Sequence, residues 1–271
     1  WRLTCPSAPL TMAREIRSKP RDLNPQLKQP WMRFLGTCPG NGIALRNGPH
    51  AGRLVVPLYF NNDQNWLAMC ATVAYSDDHG ETWQLGHSPN EGRQTPEGEL
   101  DPQTFVDETW SLHEAAVVER RDGALLLFMR NQHPCGRVAV SESHDAGQTW
   151  GPIRFDEELP EIWCQPNAIS LPSTEGEDRI VFANASLMLP FRGCGVIRLS
   201  LDGGRTWRYS RTLNPGHHVY QCMCVLPDGR IGILWENECQ GLYFSRLPLS
   251  WFSDGLETVD PRQAESQDSQ S

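Results

Sequence analysis

Long apolar runs are missing from this 271-residue chain: nowhere do about 18 apolar residues follow one another, so no membrane-crossing helix is expected. Metal-binding spacing is missing as well. The nine cysteines include no C-x-x-C pair, the nearest approach being Cys222 and Cys224. Most of them are expected to be free, buried, small apolar side chains, with no metal and no cofactor. A positive surplus is also absent. The 24 Lys and Arg stand against 33 Asp and Glu, a formal charge of -9, which argues against nucleic acid as the main partner because phosphate binding needs a basic surface. An anionic substrate would have to be met by a local cluster of arginines. Helix signals are scarce, with only Met12 to Ser18 spaced for a short one, and the N-terminal residues lack the charged-then-apolar order of a signal peptide. The chain reads as soluble, and cytoplasmic, lysosomal and secreted locations all remain compatible with it. Residues 256–271, ending in DPRQAESQDSQS, read as a disordered tail.

What the sequence does have is repetition. The pattern S-x-D-x-G-x-T-W occurs as SDDHGETW from Ser76, SHDAGQTW from Ser143 and SLDGGRTW from Ser200, with starts 67 and 57 residues apart. That spacing suits four strands with loops. A second repeat lies between the boxes. HEAAVVERRDGALLLFMR (His113 to Arg130) and VYQCMCVLPDGRIGILWE (Val219 to Glu236) each consist of an apolar run, an Asp-Gly turn and a second apolar run, which is a strong hairpin signal. GIALRNGPHAGRLVVPLY (Gly42 to Tyr59) and NAISLPSTEGEDRIVFANAS (Asn167 to Ser186) read as two more hairpins. The unit is hairpin, third strand, box, fourth strand, so the expected fold is all-β: about four blades of four antiparallel strands in a β-propeller. A β-sandwich is the competing architecture. Within each box the Asp (Asp78, Asp145, Asp202) is placed to accept backbone N–H bonds, the Gly supplies a turn conformation and the Trp brings a ring to bury. The boxes are structural.

The hairpin register points to chemistry. Glu114 lies eight residues before Asp122 of its turn and Arg130 eight after it; Tyr220 and Glu236 flank Asp228 in the same way. Residues equally far from an antiparallel turn face each other, so Glu114 with Arg130 and Tyr220 with Glu236 are predicted neighbours at the blade end opposite the turn. Equivalent strands converge on a propeller axis, which lets the two pairs meet in one depression.

These stretches, together with KPRDLNPQLKQPWMRFLGTCPGNGIALRNG, GRLVVPLYF, LPEIWCQPNAIS and FRGCGVIRLSLDGGRTW, make residues 19–255 resemble the exo-α-sialidase (neuraminidase) family. The resemblance implies a six-bladed propeller that cleaves terminal α-linked sialic acid from glycoproteins, glycolipids or oligosaccharides with retention and without a metal. It also implies roles: Tyr220 as nucleophile, Glu114 as its base, Arg130 and Arg192 as two of three arginines that grip the substrate carboxylate, and Glu236 as the acid that orients the first arginine. Sialic acid carries a carboxylate on its anomeric carbon, so a neutral Tyr nucleophile avoids the repulsion a carboxylate would meet. The chain departs from the family at its start. The R-[IL]-P motif of the first arginine and the acid/base Asp that follows it have no counterpart, residues 1–18 are atypical, and four hairpins stand where six are expected. His113 and Phe128 stand where the family usually has Asn, and Cys38 where it often has Gly. The resemblance therefore implies an N-terminally truncated sialidase of severely impaired activity, or a catalytically dead sialic-acid-binding or scaffold propeller.

Overall fold

Apolar runs that do not alternate need cover on both faces of their sheet, and that is how these strands are used. The computed structural model describes residues 20–172, 176–188, 190–237 and 240–252; the expectations for residues 1–18, for a helix over Met12 to Ser18 and for the tail at 256–271 lie outside the described residues. The chain is all-β apart from short helical turns such as α1 (Asn24–Leu27). The first sheet holds β1 (Phe34–Thr37), β2 (Ile43–Ala44), β3 (Leu54–Asn61), β4 (Met69–Ser76) and β5 (Gln84–Leu85), and a small ribbon of β6 (Gln94–Thr95) and β7 (Gly98–Glu99) follows it. The second sheet is β8 (Leu112–Glu119), β9 (Leu125–Asn131), β10 (Arg137–Ser143) and β11 (Arg154–Pro160). The third is β12 (Asn167–Ser170), β13 (Ile180–Met188), β14 (Arg192–Ser200) and β15 (Tyr209–His217), and the fourth is β16 (Gln221–Val225), β17 (Ile231–Glu236) and β18 (Leu242–Leu247).

These are four propeller blades, with all strand pairs within them antiparallel. The expected four strands per blade hold for the middle two. The first blade has five, because FLGT, which belongs to none of the four hairpins, pairs with β3, and the described part of the last has three.

Side-chain alternation explains the stacking. On β8, Ala115 and Val117 join a core shared with the first blade (Val55, Val73), while Ala116 and Val118 join one shared with the third (Ile180, Phe182). A third core, with Val181, Ile197, Met223 and Ile233, seals the third blade to the fourth. Phe128, a family departure, fills the second core, its ring 5.3 Å from Phe182 and 6.0 Å from Trp207. The innermost strands surround a cavity of about 200 Å³, lined by Ile43, Glu119, Ile169 and Met223 among others.

Each box makes one bond pattern. Asp78 accepts from Ser76 Oγ (2.8 Å), the Thr82 amide (2.8 Å) and Thr82 Oγ1 (2.6 Å). Asp145 and Asp202 repeat this with Ser143 and Thr149, and with Ser200 and Thr206. In each box two successive residues take positive φ, including Gly80 at 89° and Gly147 at 91°. Hydrogen bonds from Thr82 hold the Asp78 carboxyl down at about 2. The box rings are less uniform than expected: Trp207 is buried, whereas Trp83 and Trp150 are half-buried. Among the described cysteines all seven are free, yet only Cys38, Cys70 and Cys164 are buried, and Cys135, Cys222 and Cys224 are exposed. The last two alternate with buried Met223 on a strand that has one uncovered face.

Candidate functional site

Every inner strand runs from one end of the propeller toward its turn at the other, so residues that start β8, β14 and β16 and end β3, β9 and β17 share one end. Glu114, Arg130, Arg192, Tyr220 and Glu236 are all there. The register predicted from the Asp-Gly turns is the one observed. Arg130 Nη1 donates to Glu114 Oε2 at 2.6 Å, and the Glu236 amide donates to the Tyr220 carbonyl at 3.1 Å. Glu114 sits where the β8–β9 ladder shifts register, between Leu112 and Ala115, an irregularity of the kind that re-aims a side chain.

The Glu114–Arg130 pair is partly enclosed, with the two side chains 17% and 19% exposed. Burial works against the Arg130 charge, but the adjacent Glu114 carboxylate outweighs it and holds the guanidinium above its ordinary range. Arg192 Nη1 donates to Tyr220 Oη at 3.2 Å, with its guanidinium carbon 5.1 Å from the ring centroid, and lies 3.4 Å from the Trp163 carbonyl oxygen. Among the described residues no hydrogen bond joins Glu114 to Tyr220: the carboxylate is held by Arg130 and the phenol by Arg192. The Glu236 carboxylate has no ion pair among them.

Sequence reasoning missed three residues here. Tyr59 ends the first hairpin at the same level as Arg130; its phenol is raised by burial, then by Glu114 and Cys38, with Tyr220 adding to the effect. Its nine-residue turn, rather than a two-residue one, hid the register that exposed the others. His113 is buried, its imidazole pushed down to about 3 by burial and by Arg130, and its Nε2 has no hydrogen-bond partner among the described residues. Glu161, in the LPEIWCQ stretch, is a buried acid pushed up to about 8 by burial, with Arg130 and Glu114 both acting on it. By contrast, a cavity of about 610 Å³ lies beside the second box, lined by Glu142, His144 and Trp150 and by none of the site residues.

The boxes and blades have counterparts among known proteins. The BNR repeat-like domain family matches residues 17–233. This chain belongs to that family, among the exo-α-sialidase propellers. Its curated relatives include a sialidase of Micromonospora viridifaciens, 31% identical over 226 residues that make up 82% of this chain and 32% of that protein. A sialidase of Bacteroides fragilis is 29% identical over 86% of this chain and 39% of its own. The chain thus spans about a third of the length of these relatives. Among solved structures, the Hadza microbial sialidase Hz136 superposes with a TM-score of 0.67 at 28% identity, covering 87% of this chain and 42% of that one. The leech intramolecular trans-sialidase complexed with 2,7-anhydro-Neu5Ac gives 0.64 at 26%, covering 82% and 33%.

Proposed function

We propose that this chain binds terminal sialic acid and acts on it as a sialidase-like, retaining glycosidase with Tyr220 as nucleophile. One observation carries the reading: Arg130 and Arg192, from adjacent blades, stand at one end of the propeller, each paired with the group that the chemistry requires, Glu114 and Tyr220. Arginine forks suit a carboxylate because each can bind both oxygens and keeps its charge. With the substrate carboxylate so held, Tyr220 Oη forms a bond to the anomeric carbon as the bond to the aglycone oxygen breaks, and the phenol proton passes to Glu114. Glu114 must leave Arg130 in part to reach that proton, and arrival of a second carboxylate on Arg130 provides the exchange. Water then displaces Tyr220, and two inversions give retention.

The aglycone oxygen takes up a proton from a general acid as it departs. Aryl sialosides, whose leaving groups depart as phenolates, make the least demand on that acid and are the substrates of choice for a test. The free Glu236 carboxylate stands where the resemblance puts the partner of a further arginine. The engagement of Glu114 by Arg130 rather than by Tyr220 favours a second reading, a sialic-acid-binding propeller without turnover.

Aryl sialoside release and sialoside binding, measured on one preparation, test both. Tyr220→Phe is expected to abolish release and leave affinity within about threefold, and Arg192→Lys to weaken binding about tenfold or more, since the planar fork is lost. Release that survives Tyr220→Phe would exclude the nucleophile, and a protein that binds no sialoside would exclude both readings.

A further inference from the structure

Residues 161–165, in the link between β11 and β12, contain a strain that the proposed chemistry leaves unused. Trp163 has φ of 60°, the left-handed region that a bulky residue adopts only at a cost. Its side chain is left 59% exposed while the next residue, Cys164, is buried. What this backbone does achieve is contact with the site on three sides. The Trp163 carbonyl oxygen lies 3.4 Å from Arg192 Nη1. Cys164 Sγ donates to the carbonyl of Val219 at 2.9 Å, and the Gln165 carbonyl accepts from Gln221 Nε2 at 3.0 Å. The residues immediately before and after Tyr220 are therefore both gripped by this loop.

Glu161 closes the loop on itself. Its Oε1 accepts from the Cys164 amide at 2.9 Å, bridging the strained Trp163, and its own amide donates to the Gly136 carbonyl at 3.0 Å, in the turn between β9 and β10. We propose that residues 161–165 are the template that positions Arg192 and Tyr220, and that Glu161 is the positioning residue that latches it. The groups facing this acid are Arg130 from β9, Glu114 from β8 and the Cys164 thiol from its own loop. A protonated Glu161 accepts the amide bond without needing a counter-charge; an ionised one meets Glu114 as a like charge and competes with it for Arg130. Burial keeps the acid neutral against the Cys164 amide and Arg130, both of which favour its ionised form; ionisation near 8 therefore places a charge in the loop beside Glu114 and shifts the template. That the positioned pair acts on a sialoside rests on the proposed function; the latch itself does not.

Fluorine NMR of protein labelled with 5-fluorotryptophan separates the two. Trp163→Phe identifies one of the ten tryptophan signals. In the wild-type chain that signal is expected to shift with a midpoint near 8, and in Glu161→Gln, which keeps an acceptor and cannot ionise, to stay fixed across the same range. The remaining signals, unchanged, certify that Glu161→Gln is folded. In parallel, affinity for 2,3-dehydro-N-acetylneuraminic acid should fall about tenfold through that midpoint in the wild type and not in Glu161→Gln, because small misplacements of binding groups are costly. A Trp163 signal that does not titrate, or that titrates equally in Glu161→Gln, would overturn the latch. Absence of ligand binding at every pH, with the fluorine titration intact, would instead overturn the functional reading alone.

Discussion

His113 and Glu161 are buried on either side of the Glu114–Arg130 pair, and burial shifts them in opposite directions. His113, held neutral down to about 3 against an ordinary 6.5, binds fewer protons folded than unfolded, so its contribution is present above 6.5 and is lost as pH falls toward 3. Glu161, raised from 4.5 to about 8, binds more protons folded than unfolded, so its contribution is present below 4.5 and is lost as pH rises toward 8. Between about 4.5 and 6.5 the two slopes cancel. Stability is therefore expected to show a plateau there with a fall on each side, and melting temperatures across pH check it. His113→Asn should remove the fall just below the plateau, worth roughly 2 kcal/mol between pH 4.5 and pH 3, and Glu161→Gln the fall above it. An unchanged profile in both variants would mean that neither group is buried as described.

The box is the element that fixes blade geometry, and its glycine is more constrained than its aspartate. Gly147 has φ of 91°, and a Cβ there would lie 2.9 Å from Val73 Cγ2 of the neighbouring blade. Gly147→Ala is expected to cost about 1–3 kcal/mol from backbone strain and the clash together, whereas Gly48→Ala, at φ of 71° with nothing within 4 Å, meets the backbone cost alone. Asp145→Ala removes three hydrogen bonds from a half-exposed carboxylate and should cost about 2 kcal/mol; chemical denaturation of the three variants ranks them. The elements also decide what could be read without coordinates. Two-residue Asp-Gly turns carry their register outward for eight residues, with one irregularity between Leu112 and Ala115, which is why Glu114 with Arg130 and Tyr220 with Glu236 are legible in the sequence as neighbours. Tyr59 follows a turn too long to carry register. Glu161 lies between strands, where no periodicity marks a side chain as buried, and the strain at Trp163 belongs to a tryptophan, which no turn preference would select. The bond that replaces the expected Glu114–Tyr220 contact, Arg192 to Tyr220, joins residues 28 apart in sequence through two different blades, and no hairpin links them.

At the scale of the whole molecule, the stacking rule that makes the cores leaves one face without a partner. Each inner blade is covered on both faces by its neighbours, but the fourth blade packs only Met223, Ile233 and their row against the third. On its other side Cys222, Leu234 and Phe244 stand in register across the three strands, with Glu236 and Leu242 paired one step nearer the site end. Leu234, Leu242 and Phe244 are 47%, 70% and 56% exposed, and among the described residues nothing covers them. The first blade differs, since α1 and the residues around it lay Leu23 and Leu27 over Val56, Leu58 and Ala74. An uncovered apolar sheet face is an association surface. The 271-residue chain is accordingly expected to self-associate as its concentration rises and to bind the dye ANS, and Leu234→Ser combined with Phe244→Ser should suppress both while leaving the melting transition in place, because neither side chain is packed. Light scattering across a concentration series decides it: a chain that stays monomeric throughout, or a double variant that associates as strongly as the parent, would show that this face is covered or that another surface governs assembly.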